Sequence, residues 1–211
     1  MANLITLSRF LLLFVILWLA CEEPTAWQLI NVPLVVLLFI ADGLDGFVAR
    51  RSHTTTRFGA VFDIAADRIV EYALWVILAH IDLVPIWVPL LFIVRGSIVD
   101  TIRATGSEEG TSPFEMLRSP IARFLVASGW LRTSYAVIKA VTFAWLLMLR
   151  PLPETAPELW AQRGQELQAV GRLLVYSSVV LCLARGLPVV WEFVTQRRDE
   201  VMPELERDKR S

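Results

Sequence analysis

Apolar residues occur in six long runs along this 211-residue chain, and short polar segments separate them. A helix that crosses a bilayer needs about 20 mainly apolar residues, and most of the runs reach or approach that length. The runs cover approximately residues 3–20, 27–50, 58–80, 85–103, 133–149 and 170–193. Because the bilayer core offers the backbone no water, such segments satisfy their hydrogen bonds as helices. The pattern predicts an all-α integral membrane protein with six transmembrane helices.

Composition also favours a membrane protein. Hydrophobic residues make up 55% of the chain, and the mean hydropathy is +0.56. A single core of this size cannot hide that much apolar surface from water. The net charge of −1 says nothing about partners, and no nucleic-acid partner is expected. Cys21 and Cys182 lie far apart, in or beside apolar runs, and we interpret them as unpaired.

The polar segments suggest one membrane domain at residues 1–196 and a charged, solvated tail at 197–211, partly helical or disordered. Residues 104–131 are rich in Gly, Ser, Pro and charge, which is typical of a loop or a short surface helix. Residues 151–166 are rich in proline and predict a loop on the opposite side. A signal peptide is the alternative interpretation of residues 3–20, but further apolar runs follow it.

Four aspartates lie within 26 residues, where the second apolar run ends and the third begins. Because a helix turns by about 100° per residue, Asp42 and Asp45 share one face of the second predicted helix. Asp63 and Asp67 are four residues apart and share one face of the third. The same two faces carry small residues and a neighbouring cation: Gly46, Ala49 and Gly59, with Arg50 at the edge. Two consecutive helices can therefore direct four carboxylates to one place.

Carboxylates so close together repel one another unless a cation lies between them. Ligand sets made only of oxygen suit hard ions such as Mg²⁺ or Mn²⁺, and two such ions can bind a diphosphate and orient an attacking oxygen. A solvated acidic loop is one alternative, but the aspartates keep helical phase with the glycines. A divalent-cation transporter is another, since carboxylates also line ion pathways. The acids cluster toward one membrane face beside Arg50 and Arg51, which would repel a passing cation.

The motif resembles a known family signature. The chain reads Asp45-Gly46-x-x-Ala49-Arg50, then eight residues, then Gly59-x-x-x-Asp63-x-x-x-Asp67, with Asp42 as an additional leading aspartate. This is similar to the full signature of the CDP-alcohol phosphatidyltransferase family at every fixed position and in both gap lengths. The resemblance implies a membrane enzyme of phospholipid biosynthesis. Such an enzyme transfers a phosphatidyl group from CDP-diacylglycerol to an alcohol and releases CMP.

The resemblance also implies roles for the motif residues. The metal ligands would be Asp42, Asp45, Asp63 and Asp67, which would hold Mg²⁺ or Mn²⁺, as two ions. Asp67 would in addition act as the catalytic general base on the acceptor hydroxyl. The CDP moiety would contact Asp42, Asp45, Gly46, Ala49, Arg50 and Gly59, with the small residues leaving room for cytidine and ribose and Arg50 pairing with a phosphate. Family membership further implies a homodimer.

The acceptor is less well specified. Arg95 and Arg103 are eight residues apart on one helix face, which resembles an arginine pair in the phosphatidylglycerophosphate synthase branch of the family. Gly96, Thr133 and Tyr135 stand where that branch commonly has a glutamate and two lysines. Glycerol 3-phosphate is the favoured acceptor, while inositol phosphate, serine and other alcohols stay open. The candidate acceptor-phosphate contacts are Arg95, Arg103, Arg118 and Arg132; anchoring at the membrane surface is their alternative role.

Charge distribution predicts the orientation. Most of the 20 Lys and Arg residues lie on the motif side of the predicted spans. Positive-inside bias makes that side cytoplasmic, and six spans place both termini there. One substrate is soluble and the other carries acyl tails. We therefore expect an active-site cavity that faces the cytoplasm and is reachable from surrounding membrane lipids, in a bacterial-type inner or cell membrane.

Overall fold

The computed structural model describes residues 2–22, 24–51, 57–108, 124–125 and 128–208. Side chains are described for these ranges except at 2–6, 44–51, 57–58, 60, 106–108 and 196–208. Within the described ranges every regular element is a helix and no strand occurs. The predicted all-α fold class is therefore confirmed.

Seven α-helices and one 3₁₀ turn make up the described chain. They are α1 (Ala2–Cys21), the 3₁₀ turn (Ala26–Ile30), α2 (Asn31–Arg51), α3 (Arg57–His80), α4 (Trp87–Glu108), α5 (Gly129–Leu149), α6 (Leu152–Thr155) and α7 (Pro157–Asp208). Each of the first five predicted apolar runs corresponds to a helix whose ends differ by only a few residues. Periodicity and length were sufficient to place these helices, because their apolar runs are long and have clear polar ends.

The predicted proline-rich loop at residues 151–166 is wrong for most of its length. The segment forms α6 and the first turns of α7, and α7 continues without a break through the sixth apolar run. Proline fits the first turn of a helix, where its missing N–H is not needed. Pro151 caps α6 and Pro157 begins α7, so these prolines start helices here. The backbone of the predicted tail is likewise helical as far as Asp208.

Three helical segments of the described chain are long and apolar enough to cross a membrane by length and composition. They are Ala26–Gly43, Gly129–Leu149 and Pro157–Thr195, with mean hydropathies of 1.7, 1.2 and 1.9. Large apolar side chains on the helices are exposed, among them Leu11 at 70% and Trp191 at 72%. Apolar surface on this scale is unfavourable in water and suited to contact with lipid. These features indicate a membrane protein.

The chain divides into two compact units, Met1–Leu90 with Val137–Ser178, and Leu91–Ala136 with Val179–Ser211. In the first unit α1 packs against both α2 and α3. The ring of Phe143 on α5 lies 6.0 Å from the ring of Phe39 and 4.7 Å from that of Trp75, which ties α5 to α2 and α3. This packing holds the ends of α2 and α3 that carry the aspartates.

The second unit has a small apolar core of its own. Val99 and Ile102 of α4 pack with Val189 of α7, and Val190 and Phe193 lie against them. This core fixes the parts of α4 and α7 that carry arginines. Both cysteines are free in the structure, as predicted, with Cys21 exposed and Cys182 buried.

Candidate active site

Three of the predicted aspartates come together in the first unit. Asp42 lies toward the C-terminal end of α2, and Asp63 and Asp67 lie one turn apart on α3. One carboxylate oxygen from each lies within 4.8 Å of the others. The three side chains are 38%, 47% and 46% exposed, respectively. The cluster is therefore held by two helices and is partly open to a ligand.

Several predicted site residues are not described in the same detail. Asp45, Gly46, Ala49 and Arg50 lie within α2, but their side chains are outside the described residues. Gly59 is described and lies one turn before Asp63 on α3, as its spacing predicts. The roles of Asp45 as a fourth ligand and of Arg50 as a phosphate contact stay predictions.

Arg9 of α1 is a member of this cluster that the sequence interpretation missed. Its Nη2 lies 2.7 Å from Oδ1 of Asp42 and donates a hydrogen bond of 2.8 Å to Oδ1 of Asp67. Its Nη1 lies 3.7 Å from Oδ1 of Asp63, and the side chain is only 4% exposed. From sequence, Arg9 is one of the Lys and Arg residues on the motif side that predict the orientation, and no role in the site follows from that. A lone arginine inside an apolar run is energetically unfavourable without an acidic partner. Its position in the run was therefore the sequence signal for such a partner.

The donor set of the cluster fits a divalent cation. Carboxylate oxygens are the ligands that Mg²⁺ and Mn²⁺ prefer. Oxygens from three side chains within 4.8 Å of one another can contact a common ion, and their partial exposure leaves room for water or substrate oxygens in its remaining positions. The chemistry available to such a site is the binding and activation of a phosphate group.

A second charged group lies one turn further along α3. Glu71 is buried, and its Oε1 lies 2.7 Å from Nζ of Lys139 on α5. Arg68 donates a hydrogen bond of 3.1 Å from Nη1 to Oε2 of the same glutamate. Glu71 continues the i, i+4, i+8 series of Asp63 and Asp67, but its oxygens are already engaged by two cations. It therefore orients α3 against α5 and is not part of the aspartate cluster.

The predicted acceptor arginines belong to the second unit, apart from Arg118, which lies outside the described residues. Arg185 of α7, which the sequence interpretation did not assign to the site, has three charged neighbours there: Arg95, Arg103 and Arg132. Its guanidinium carbon lies 5.9 Å from the centre of the Tyr135 ring. Four like charges in one region repel one another, and an anion among them relieves that repulsion. The candidate acceptor contacts Arg95, Arg103 and Arg132 therefore lie in the same region as Arg185, and their binding of a phosphate stays a prediction.

Gly186 gives Arg95 its place in this group. A Cβ on Gly186 would lie 2.6 Å from Nε of Arg95 and 2.8 Å from its Cγ. Such contacts are well inside van der Waals distance. Only a glycine at this position of α7 therefore leaves room for the Arg95 side chain. No local sequence pattern predicts the neighbours of Arg185 and Gly186, because those neighbours lie on α4 and α5.

Comparison with known proteins agrees with the motif. Residues 1–183 match the CDP-alcohol phosphatidyltransferase family. The CDP-diacylglycerol--glycerol-3-phosphate 3-phosphatidyltransferase of Salmonella typhimurium is 30% identical over 194 residues, which cover 87% of this chain and 94% of that protein. The enzyme of the same name from Shigella flexneri serotype 5b is 29% identical over 188 residues, covering 86% and 87%. That from Aquifex aeolicus is 39% identical over 70 residues, covering 33% and 38%.

The match extends over most of the chain and includes the segment in which Asp42, Asp63 and Asp67 converge. It also includes α1, whose Arg9 joins the three aspartates. The chain belongs to the CDP-alcohol phosphatidyltransferase family and is a membrane transferase.

Proposed function

We propose that the protein transfers the phosphatidyl group of CDP-diacylglycerol to glycerol 3-phosphate and releases CMP. The observation that carries this proposal is the convergence of Asp42, Asp63 and Asp67 within the family motif. The acceptor is supported by relatives named for glycerol 3-phosphate that align over 86–87% of this chain. A cation transporter is the weaker candidate, because a transferase family model and relatives named as transferases match most of the chain.

The aspartates hold the divalent cations in this proposal. Asp42, Asp45, Asp63 and Asp67 bind Mg²⁺ or Mn²⁺, as two ions, and the metal supplies positive charge that offsets the charge of the diphosphate and of the departing CMP. Asp67 accepts the proton of the acceptor hydroxyl. The acceptor oxygen then bonds to the β-phosphorus of the CDP-lipid, and the bond from that phosphorus to the oxygen of CMP breaks.

Small residues near the aspartates receive the nucleotide. Gly46 and Ala49 of α2 and Gly59 of α3 leave space beside the backbone, in which cytidine and ribose can lie. Arg50 pairs with a phosphate of the CDP moiety, and its planar guanidinium suits two phosphate oxygens at once. These contacts select the CDP-linked lipid and orient its diphosphate toward the carboxylates.

The candidate arginines bind the phosphate of the acceptor. The group comprises Arg95, Arg103, Arg132 and, beyond the residues expected from sequence, Arg185, with Arg118 as a further candidate. Charge-assisted hydrogen bonds to phosphate are strong, and several arginines together favour a dianion over a neutral alcohol. This supports a phosphorylated acceptor such as glycerol 3-phosphate over serine.

The proposed membrane arrangement has six spans, formed by α1 to α5 and the apolar part of α7. The active site and both termini are cytoplasmic, in a bacterial-type inner or cell membrane, with residues 1–196 as the membrane domain and 197–211 as a charged tail. The protein acts as a homodimer. The distribution of Lys and Arg supports this orientation.

A panel of acceptors tests the proposal. Purified protein is incubated with CDP-diacylglycerol, Mn²⁺ or Mg²⁺, and one alcohol at a time, and CMP release is measured. We expect the highest kcat/KM with glycerol 3-phosphate and lower values with inositol phosphate, serine and glycerol. A preference for serine or inositol phosphate would overturn the acceptor assignment and leave the transferase chemistry in place. Absence of CMP release with every alcohol would overturn the chemistry as well.

A further inference from the structure

The contacts of Arg9 are unusual for a buried arginine. A guanidinium can donate five hydrogen bonds, yet the short contacts to Asp42 and Asp67 both use Nη2. Nε and Nη1 are buried and have no hydrogen-bond partner among the described residues. The side chain is therefore held in place mainly by the charge of three carboxylates, and much less by directed hydrogen bonds.

This arrangement gives Arg9 the electrostatic role of a bound cation. Three carboxylate oxygens within 4.8 Å repel one another, and a positive charge at 2.7–2.8 Å from two of them offsets that repulsion. A divalent cation bound by Asp42 and Asp67 would lie within a few ångströms of the guanidinium. The repulsion between the two cations would be large at that distance in a partly buried site. Arg9 and a metal ion cannot both make their closest contacts to these aspartates.

The backbone of Arg9 is anchored beside the site. Helix α1 packs against α2 and α3, and the next residue, Phe10, makes an edge-to-face contact with Phe62 on α3, at 6.2 Å between ring centres. Phe62 directly precedes Asp63. A change in the position of the guanidinium therefore requires rotation of a long, flexible side chain and no movement of the helix.

We propose that Arg9 is an exchangeable counter-ion of the aspartate cluster. It holds Asp42, Asp63 and Asp67 together until a divalent cation binds, and it withdraws from Asp42 and Asp67 as the cation takes their oxygens. Arg9 thereby weakens metal binding and stabilises the cluster without metal. This inference rests on the proposed function in one respect, namely that these aspartates bind a divalent cation.

Binding of Mn²⁺ in the absence of substrate tests the inference. Free Mn²⁺ is followed by electron paramagnetic resonance during titration of purified wild type, Arg9→Gln and Arg9→Lys. The control is Arg163→Gln, which changes an exposed arginine of α7. We expect Arg9→Gln to lower the Kd for Mn²⁺ by about tenfold or more, because the competing charge is removed. Arg9→Lys should lie between wild type and Arg9→Gln, since lysine keeps the charge but lacks the planar fork.

Thermal unfolding of the same proteins gives a second readout. In EDTA, Arg9→Gln should unfold at a lower temperature than wild type, and saturating Mn²⁺ should remove most of that difference. Arg163→Gln should match wild type in both measurements. If Arg9→Gln does not fold, Arg9→Lys carries the test through its Kd for Mn²⁺.

The outcomes separate this inference from the proposed function. If wild type binds Mn²⁺ and the Arg9 variants bind it with the same or higher Kd, the counter-ion role is wrong while the metal site stands. If wild type binds no Mn²⁺, the metal site itself is wrong, and the exchange inferred for Arg9 is wrong with it.

Discussion

Nζ of Lys139 lies 2.7 Å from Oε1 of Glu71, and this ion pair joins α5 to α3 one turn beyond Asp67. Arg68 binds the second oxygen of the same carboxylate. The Lys139 and Glu71 side chains are only 12% and 9% exposed. Burying such a pair has a desolvation cost, and removal of one partner leaves a buried charge without compensation. The pair therefore fixes the rotation of α3 and, with it, the direction of the aspartates on the same face.

Breaking this pair should destabilise the protein. Glu71→Gln leaves Lys139 and Arg68 without their carboxylate, and we expect a loss of about 3–5 kcal/mol. Lys139→Met should cost less, because Arg68 still contacts Glu71. The double variant should be less destabilised than the sum of the single variants, by about 1–3 kcal/mol. Equilibrium unfolding followed by circular dichroism measures these free energies, with Arg163→Met as the control; additive losses would show that the two side chains are not coupled.

Asp67→Asn should abolish most turnover. The amide keeps the size of the side chain but cannot accept the proton of the acceptor hydroxyl, and loss of a general base typically lowers kcat by about 10²–10⁴-fold. CMP release at saturating substrates is the measurement. Asp82→Asn, the same chemical change in the turn between α3 and α4, serves as the control and should keep wild-type kcat. Full turnover by Asp67→Asn would assign the base to another group.

Gly186→Ala should raise the KM for glycerol 3-phosphate. The added Cβ would meet Arg95 at 2.6–2.8 Å and push its side chain away from the other arginines. Displacing Arg95 removes a charged contact to the acceptor phosphate, and hydrogen bonds to charged groups contribute about 1.5–3 kcal/mol, so a rise in KM of about tenfold is expected. Gly129→Ala is the matched control, because its Cβ would meet nothing within 4 Å. An unchanged KM would mean that the position of Arg95 does not matter for the acceptor.

Arg185→Gln should also raise the KM for glycerol 3-phosphate, because it removes a positive charge. Hydrogen bonds to charged groups contribute about 1.5–3 kcal/mol, which corresponds to an increase in KM for glycerol 3-phosphate of about 10–100-fold. Arg95→Ala and Arg103→Ala should act in the same direction. Arg172→Gln, an exposed arginine on the same helix, should leave KM unchanged. If Arg185→Gln behaves like Arg172→Gln, Arg185 has only a structural role.

The sequence was sufficient for the parts of the site that depend on local spacing. Asp63 and Asp67 are four residues apart, so helical geometry alone puts them on one face, and Asp42 follows directly from the motif. Arg9 was missed because its partners lie on other helices and no local pattern connects α1 to them. Arg185 was missed for the same reason, since its charged neighbours come from α4 and α5.

The helix bounds, like the site, could be predicted from sequence only in part. Long apolar runs placed α1 to α5, because their ends coincide with polar residues and turns. The start of α7 was misjudged, because a proline can begin a helix or break one, and the outcome depends on the residues after it. From Pro157 the chain continues as one helix to Asp208. Composition alone could not distinguish these two outcomes.

The most direct test of the proposed function measures both products in one reaction. Purified wild type and Asp63→Asn are incubated with CDP-diacylglycerol, radiolabelled glycerol 3-phosphate and Mn²⁺, and CMP and labelled lipid are quantified together. We predict one CMP for each labelled lipid with wild type, loss of both on addition of EDTA, recovery with excess Mn²⁺, and neither product with Asp63→Asn. CMP release without labelled lipid, or undiminished activity in EDTA or in Asp63→Asn, would contradict metal-dependent transfer to glycerol 3-phosphate at the aspartate cluster.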